Sequence, residues 1–294
     1  MTPRGVLLLG IALLAALMAG CLQAPAPPAA GYHVNGSGVL SLTCPPCQAS
    51  ETVLQETSEY TLSHIVFHGS QGDVYAIAAS PPRPRAGFLM APGAGVKKEG
   101  HQPRALDYAR QGYVFLVLDV RGNGGETSGR PLDLQDDFQR FRAGTWPEYY
   151  LSVCDFSCAR SYLAARYGIP VYALGESNGG RYAAIAAALD PGFAGFFGVS
   201  TSGFGMAGNQ YSGDAGRFLL SVDPETYGAM MAGRPSWIFH SREDPVIPYE
   251  QGLALYDSLA GPKQFISFNG THGMNEEVDA RILHDCGQIY ALAG

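Results

Sequence analysis

One pentapeptide in the second half of the sequence has the residue types and spacing of a nucleophile. Ser177 lies at the centre of Gly-Glu-Ser-Asn-Gly, a Gly-x-Ser-x-Gly pattern at residues 175–179. The apolar run that begins at residue 171 is typical of a strand, and residues 181–189 are typical of a helix. A sharp strand-to-helix turn lifts a serine hydroxyl above the edge of a sheet, and the flanking glycines leave room for the neighbouring backbone. The pattern therefore predicts that Ser177 is a nucleophile.

A serine nucleophile needs a base, and the base needs an orienting partner. On a strand-to-helix turn of this kind, the acid follows a later strand and the histidine follows the next one, in the chain order Ser, Asp or Glu, His. Asp244 follows one strand-like run and His272 follows the next. We expect His272 to be the base and Asp244 to orient it, with Glu243 as the alternative acid. His240 lies on a strand-like run and is expected in the core or behind the site.

An oxyanion formed at Ser177 needs two backbone N–H donors. The residue after the nucleophile, Asn178, supplies one at a helix start. The second is expected from the glycine-rich loop at residues 92–95, which follows a strand-like run. Ala94 is the preferred donor, and Gly95 is the alternative.

The elements that must position these side chains alternate between strands and helices from residue 86 onward. This alternation predicts an α/β fold with a doubly wound, mostly parallel sheet. Two apolar runs at residues 60–67 and 73–79 flank a glycine-containing turn and predict an antiparallel hairpin at the N-terminal edge of that sheet. Ligands bind such sheets at the carboxyl ends of the strands, which is where Ser177 falls.

From about residue 60 to its end, the chain resembles the α/β-hydrolase superfamily. The resemblance rests on residues 175–179, on Asp244 and His272 in that order, and on the glycine loop at Gly93. Pro92 stands where many members carry histidine. Residues 119–122, Asp-Val-Arg-Gly, are similar to the esterase and peptidase-like branches. The resemblance implies a serine hydrolase that cleaves a small-molecule ester or amide through a covalent acyl-enzyme, without a cofactor or a metal.

Composition limits the classes of partner. The chain has 294 residues, of which 46% are hydrophobic and 15% charged, and its formal net charge is −7. Lysine and arginine do not cluster beyond the pair Lys97-Lys98. A nucleic-acid partner is therefore not expected.

The N-terminal residues have the features of an export signal. Residues 1–20 combine one positive side chain, Arg4, with an apolar stretch that is short for a bilayer-spanning helix, as in a signal peptide. Residues 18–21, Met-Ala-Gly-Cys, resemble the lipobox of prokaryotic lipoproteins, in which Cys21 would carry the lipid. We expect a protein anchored by lipid to the cell surface, outside the cytoplasmic membrane of a prokaryote. The alternatives are a secreted or periplasmic protein and an uncleaved signal anchor. Residues 21–31 form an Ala/Pro linker, 32–59 an arm, and 60–294 the hydrolase domain.

The remaining cysteines predict cross-links, since exported proteins oxidise their thiols. Cys44 and Cys47 lie in the arm, whereas Cys154 and Cys158 share one face of a predicted helix. We expect these pairs to staple the arm to that helix. A four-cysteine zinc site and a thiol–disulfide function of Cys44 and Cys47 are the alternatives, and Cys286 is left over.

Two insertions, at residues 133–150 and 203–235, carry aromatic residues and methionines that either cover an acyl pocket as a lid or pack on the core. Among the possible activities, cleavage of a carboxylic ester is favoured, with an aminopeptidase or other amide hydrolase as the alternative. A surface lipoprotein that keeps the fold only for binding is the alternative of another class.

Overall fold

The computed structural model describes residues 29–291, with side chains up to residue 288. The strands of this part are β1 (Gly31–Val34), β2 (Leu40–Thr43), β3 (Cys47–Glu56), β4 (Thr61–Gly69), β5 (Val74–Ser80), β6 (Ala86–Ala91), β7 (Tyr113–Leu118), β8 (Val171–Glu176), β9 (Phe193–Val199), β10 (Ser236–His240) and β11 (Lys263–Ser267). The α-helices are α1 (Gln102–Arg110), α2 (Leu134–Arg142), α3 (Glu148–Tyr167), α4 (Asn178–Leu189), α5 (Gly213–Ser221), α6 (Tyr249–Ser258) and α7 (Glu276–Ala291).

Nine of these strands form one sheet in the order β11-β10-β9-β8-β6-β7-β5-β4-β3, while β1 and β2 pair separately. Six neighbouring strands of this sheet, β11, β10, β9, β8, β6 and β7, run parallel to one another. The strands β5, β4 and β3 are antiparallel to their neighbours. The predicted α/β fold with a mostly parallel sheet and an antiparallel N-terminal edge is confirmed.

The core has two layers, one on each face of the sheet. In β6, Phe88 and Met90 pack with residues of α1 and α7, whereas Leu89 and Ala91 pack with residues of α3 and α4. Strands that are covered on both faces read as continuous apolar runs, as β6 and β7 do. The layers bury the middle of the sheet and leave the carboxyl ends of β6, β8, β10 and β11 to carry the candidate site.

Five elements, namely β1, β2, β3, α2 and α5, lie where the sequence predicted neither a strand nor a helix. β3 belongs to the arm, yet it pairs with β4 and becomes the outermost strand of the sheet. Because all ten of its residues are exposed, it lacks the apolar alternation that marks a strand. α2 and α5 lie within the two insertions. Asp133 caps α2 by accepting hydrogen bonds from the N–H groups of Gln135 and Asp136.

The arm is fastened to α3 by two disulfides, as predicted. Cys44 is bonded to Cys154 and Cys47 to Cys158, with Cα–Cα distances of 5.4 and 6.3 Å. Neither the zinc site nor a Cys44–Cys47 pair is formed. Cys286 is a buried free thiol. Paired cysteines of this kind are typical of proteins from oxidising compartments.

The insertion at residues 203–235 packs largely on the core. Phe218, Tyr227 and Met231 are almost completely buried, whereas Tyr211 and Met230 are exposed. Its apolar residues therefore act mainly as core and not as a lid.

The predicted signal peptide at residues 1–20, Cys21 and most of the linker at residues 21–31 lie outside the described residues. Within residues 29–291, none of the helices combines the length and the apolar character that crossing a bilayer requires.

Candidate active site

Ser177 occupies a strained turn between β8 and α4. Its φ and ψ are 54° and −125°, a conformation that non-glycine residues rarely adopt. A Cβ atom on Gly175 would lie 2.5 Å from the carbonyl oxygen of Gly179, and one on Gly179 would collide with the carbonyls of Ala91 and Pro92. The Ser177 carbonyl accepts a hydrogen bond of 2.7 Å from the hydroxyl of Thr201. These contacts hold the strand-to-helix turn that the motif predicts. Ser177 is half-buried and lies at the carboxyl end of β8.

Asp244 and His272 are brought together by the loops after β10 and β11. The Nδ1 of His272 lies 2.8 and 3.0 Å from the two carboxylate oxygens of Asp244. A carboxylate only accepts hydrogen bonds, so Nδ1 carries a proton, and in a neutral imidazole the lone pair is then on Nε2. The Asp244 side chain is fully buried, while that of His272 is 21% exposed. Glu243, the alternative acid, is exposed and is not the partner of His272.

The environment of Asp244 keeps it ionised. Burial raises its pKa, but hydrogen bonds from the Ile247 N–H, the His272 ring and the Val246 N–H outweigh that effect and leave the pKa below its usual value. Both backbone N–H groups donate to Oδ1 at 2.9 Å. His240 is fully buried behind this group, as expected, and its Nε2 donates to the carbonyl of Ile247 at 2.9 Å.

The loop that carries His272 is docked against the nucleophile turn. The N–H of Gly273 donates to the hydroxyl of Ser200 at 3.0 Å, and the N–H of Met274 donates to the carboxylate of Glu176 at 2.9 Å. Glu176 directly precedes Ser177 in the chain. The structure therefore places His272 and Ser177 on adjoining loops at one edge of the sheet.

The loop after β6 has the features of an oxyanion donor. Residues 93–96 form a tight turn in which the N–H of Val96 donates to the carbonyl of Gly93 and Gly95 has a φ of +75°. The N–H of Gly95 donates to Oδ1 of Asn123 at 3.2 Å, so it is already engaged. Within residues 29–291, the N–H groups of Ala94 and Asn178 have no hydrogen-bond acceptor. Of the two loop residues, Ala94 thus has an N–H that is free for a further acceptor, whereas Gly95 does not.

Asn123 fixes that turn, and sequence reasoning missed it. Its Nδ2 donates to the carbonyls of Gly93 and Val96 at 2.9 and 3.0 Å, in addition to the bond accepted from Gly95. The only signal in the sequence is its place just after residues 119–122, the Asp-Val-Arg-Gly run. One side chain thus ties three backbone groups of the turn.

A buried lysine anchors the other end of the same loop. Lys98 is 1% exposed, and its ammonium lies 2.7 Å from Glu99, 2.5 Å from Glu126 and 3.6 Å from Asp119. Burial lowers the pKa of Lys98, but hydrogen bonds to Glu126 and Glu99 and the charge of Asp119 raise it above its usual value overall. The ammonium therefore stays charged and pins the loop to the end of β7.

Within the described part of the chain, there is no group of three or more His, Cys, Asp or Glu side chains positioned to hold a metal ion. The polar groups at the site suit serine-based acyl transfer, which requires a nucleophile, a base and donors for an oxyanion.

Comparison with known proteins extends these findings. No protein-family model and no curated protein matches the sequence. Among solved structures, an acetyl xylan esterase from Paenibacillus sp. R4 is similar with a TM-score of 0.68 and 19% sequence identity, over 82% of this chain and 89% of that one. A cold-adapted esterase from an Arctic intertidal metagenomic library has a TM-score of 0.62 and 17% identity, over 81% and 98% of the two chains.

A peptidase is also similar. The acylaminoacyl peptidase of Pyrococcus horikoshii has a TM-score of 0.56 and 15% identity, over 77% of this chain and 40% of that one. At these identities the likeness concerns the fold. The strand order, the turn at Ser177 and these structural neighbours agree, and the chain has the α/β-hydrolase fold.

Proposed function

We propose that the protein is a serine hydrolase that cleaves a carboxylic ester, with Ser177 as nucleophile, His272 as base and Asp244 as its orienting partner. The observation that carries the proposal is the bond from His272 Nδ1 to the buried Asp244 carboxylate. It leaves Nε2 available for a proton, on a loop docked against the residue before Ser177.

In this mechanism the Ser177 hydroxyl attacks the ester carbonyl carbon while His272 Nε2 accepts the hydroxyl proton. The carbonyl oxygen becomes negative and accepts hydrogen bonds from the N–H groups of Ala94 and Asn178. The carbon–oxygen bond to the alcohol then breaks, and His272 returns its proton to the departing alkoxide. Water, deprotonated by His272, hydrolyses the acyl-enzyme and regenerates Ser177.

An ester is favoured over an amide because structural neighbours named esterases align over most of their own length. The alternative, an aminopeptidase or other amide hydrolase, is supported by the likeness to an acylaminoacyl peptidase. Activated esters such as p-nitrophenyl acetate are cleaved by both classes, so hydrolysis of p-nitroacetanilide by the same preparation tests the alternative. Measurable turnover of the anilide would favour the amide hydrolase.

Labelling with a fluorophosphonate, followed by mass mapping of the adduct, tests the nucleophile. We expect one adduct on Ser177 that is lost in Ser177→Ala and strongly slowed in His272→Ala. Ser212→Ala, at an exposed serine before α5, is the matched control and should label normally. A folded wild-type protein that does not label would instead support the binding-protein alternative.

We also infer that the protein is exported and anchored by lipid at Cys21. The two disulfides support an oxidising compartment. The proposed anchor predicts that the protein fractionates with membranes of the producing cell and that Cys21→Ser releases it or leaves its signal peptide uncleaved. Unchanged processing and fractionation of Cys21→Ser would contradict lipidation.

A further inference from the structure

Glu176 occupies the variable position before the nucleophile, and the loops of the site close around its carboxylate. A Cβ atom on Gly93, in the loop after β6, would lie 3.5 Å from Glu176 Oε1. A Cβ atom on Gly273, directly after His272, would lie 3.2 to 3.4 Å from the carboxyl carbon and oxygens of Glu176. The carboxylate therefore lies between the loop after β6 and the histidine loop, and a side chain on Gly273 would crowd it.

One hydrogen bond connects this carboxylate to the histidine loop. Glu176 Oε2 accepts from the N–H of Met274 at 2.9 Å, across 98 residues of sequence. A backbone N–H bonded to a carboxylate forms a stronger bond than a neutral pair does. Met274 lies two residues after His272, so this bond restrains the backbone that carries the base.

The carbonyl of the same residue is held by Arg104. Its Nη2 donates to the carbonyl of Met274 at 3.3 Å. Arg104 is itself fixed by two bonds to Asp279 on α7, at 2.8 and 3.0 Å. Met274 is therefore bonded through its N–H to Glu176 at the end of β8 and through its carbonyl to Arg104 on α1.

A buried histidine adds to this network. His101 is 5% exposed, and its Nδ1 accepts a hydrogen bond of 2.6 Å from Arg104. Burial lowers the pKa of His101, and the charge of Arg104 lowers it further, against the opposing effect of the Glu176 charge. The imidazole is therefore neutral, with its proton on Nε2, which has no partner among the described residues.

We propose that Glu176 is a positioning residue for the reaction: its carboxylate holds the histidine loop at the distance from Ser177 that proton transfer requires. This inference rests on the proposed hydrolase function. It does not make Glu176 a partner of the substrate, since its carboxylate is engaged with Met274. Misplacement of a catalytic group by about 1 Å costs about 100-fold in rate, so the loss of this bond should act on kcat and not on KM.

Three substitutions of Glu176 distinguish the effect of side-chain length on the bond to Met274 from the effect of the negative charge. Glu176→Gln keeps an acceptor oxygen at the same length without the charge. Glu176→Asp keeps the charge but is one methylene too short to reach Met274. Glu176→Ala removes both. With p-nitrophenyl acetate, we expect Ala and Asp to lower kcat about 100-fold with little change in KM, and Gln to stay within about threefold of wild type.

Hydrogen–deuterium exchange of the peptide that spans residues 268–277 gives a readout independent of catalysis. Exchange should rise in Glu176→Ala and Glu176→Asp and remain at the wild-type level in Glu176→Gln. Glu250→Ala, at an exposed position in the first turn of α6, is the control for both measurements and should match wild type. Thermal unfolding of each variant shows whether a loss of rate reflects a loss of folded protein.

The outcomes are distinct. Positioning is overturned if Glu176→Ala keeps wild-type kcat, if Glu176→Gln is as impaired as Glu176→Ala, or if kcat falls without a change in exchange. If wild type neither hydrolyses the ester nor labels at Ser177, the proposed function fails. In that case altered exchange in Glu176→Ala would still support the loop contact, and unaltered exchange would remove it as well.

Discussion

The carboxylate of Asp244 has two roles: it orders the loop after β10, and it orients the ring of His272. Its Oδ1 accepts two backbone N–H groups and orders the loop after β10, while its carboxylate holds the proton of His272 on Nδ1. The pKa of Asp244 is lower in the folded protein than its ordinary value. Its ionisation therefore stabilises the fold above about pH 4, the ordinary Asp pKa, and this contribution is lost as the pH falls through the folded-state pKa.

Asp244→Asn is expected to separate these tasks. The amide oxygen can still accept from Val246 and Ile247, but the amide NH₂ would favour the wrong tautomer of His272, so kcat should fall by about 10⁴-fold. The free energy of unfolding should drop by about 2 kcal/mol at pH 7, the scale of a hydrogen bond to a charged group. Urea unfolding at several pH values should show this difference shrinking toward pH 3. Asp257→Asn, at an exposed position on α6, serves as control; a constant difference across this range would contradict the assignment.

The side chain of Asn123 holds the loop that carries the Ala94 N–H. It ties the carbonyls of Gly93 and Val96 and the N–H of Gly95, so that the N–H of Ala94 remains free. Loss of a whole oxyanion donor costs about 10²- to 10³-fold in kcat, and loosening one should cost less. We expect Asn123→Ala to lower kcat about 30-fold with little change in KM. Initial rates with p-nitrophenyl acetate check this, and Asn209→Ala, at an exposed position, should leave them unchanged.

The site residues that the sequence pattern predicts follow recognisable strands, whereas the residues that it misses contact backbone groups far away in the chain. Ser177, Asp244 and His272 each follow a recognisable strand, so their places at the sheet edge could be predicted. Glu176 and Asn123 act on backbone groups of residues 98 and 30 positions away, and neither partner has a side chain that signals the contact. A pattern of residue types therefore predicts the candidate reacting groups but not the groups that hold them.

At the scale of the element, the turn between β8 and α4 depends on close backbone packing. A methyl group on Gly179 would collide with the carbonyls of Ala91 and Pro92 at the end of β6. Neither carbonyl can yield without moving the strand next to β8. The strand-to-helix turn is thus built into the centre of the sheet.

Gly179→Ala is expected to destabilise the protein by about 3 kcal/mol and to abolish activity, since overpacking against backbone forces the strand or the helix to shift. Urea unfolding and p-nitrophenyl acetate hydrolysis measure the two effects. Gly36→Ala is the matched control, because its new methyl group meets nothing within 4 Å and should change the unfolding free energy by less than about 0.5 kcal/mol. A stable, active Gly179→Ala would show that the turn is less tightly packed than described.

The elements that the sequence predicted are those with a strong apolar pattern. β6, β7 and β8 are buried on both faces, so their runs of apolar residues identify them. β3 is exposed throughout, and α5 contains glycines that disfavour helices. Both are formed by tertiary contacts: β3 by its ladder with β4, and α5 by the burial of Phe218 in the core.

At the scale of the whole molecule, the two disulfides act as one staple. Their sequence separations are 110 and 111 residues. In the chain-entropy account, a first cross-link across such a loop contributes about 5 kcal/mol. Once it is formed, the second closes only the few residues between the paired cysteines, which is worth about 2 kcal/mol on the same account.

The contributions should therefore not add. Replacing Cys44 and Cys154 by serine, or Cys47 and Cys158, should each lower the free energy of unfolding by about 2 kcal/mol, whereas replacing all four should lower it by about 7 kcal/mol. Urea unfolding of the four oxidised proteins measures this. Cys286→Ser is unsuitable as a control because that thiol is buried, so the fully reduced wild type provides the comparison. Single losses that add up to the loss in the quadruple variant would contradict the shared-loop account.

The two disulfides also determine whether a protease that cuts the chain once can separate the two fragments. They close a covalent ring from residue 44 to residue 158 that contains the loop at residues 92–95, whereas Ser177, Asp244 and His272 lie beyond it. A single cut in the exposed stretch at residues 128–133 divides the polypeptide between that loop and Ser177, yet both pieces stay joined through the cysteines. The nicked protein would migrate as one species until it is reduced. Outside a cell, where proteases are common, the molecule can thus be cut without being dismantled.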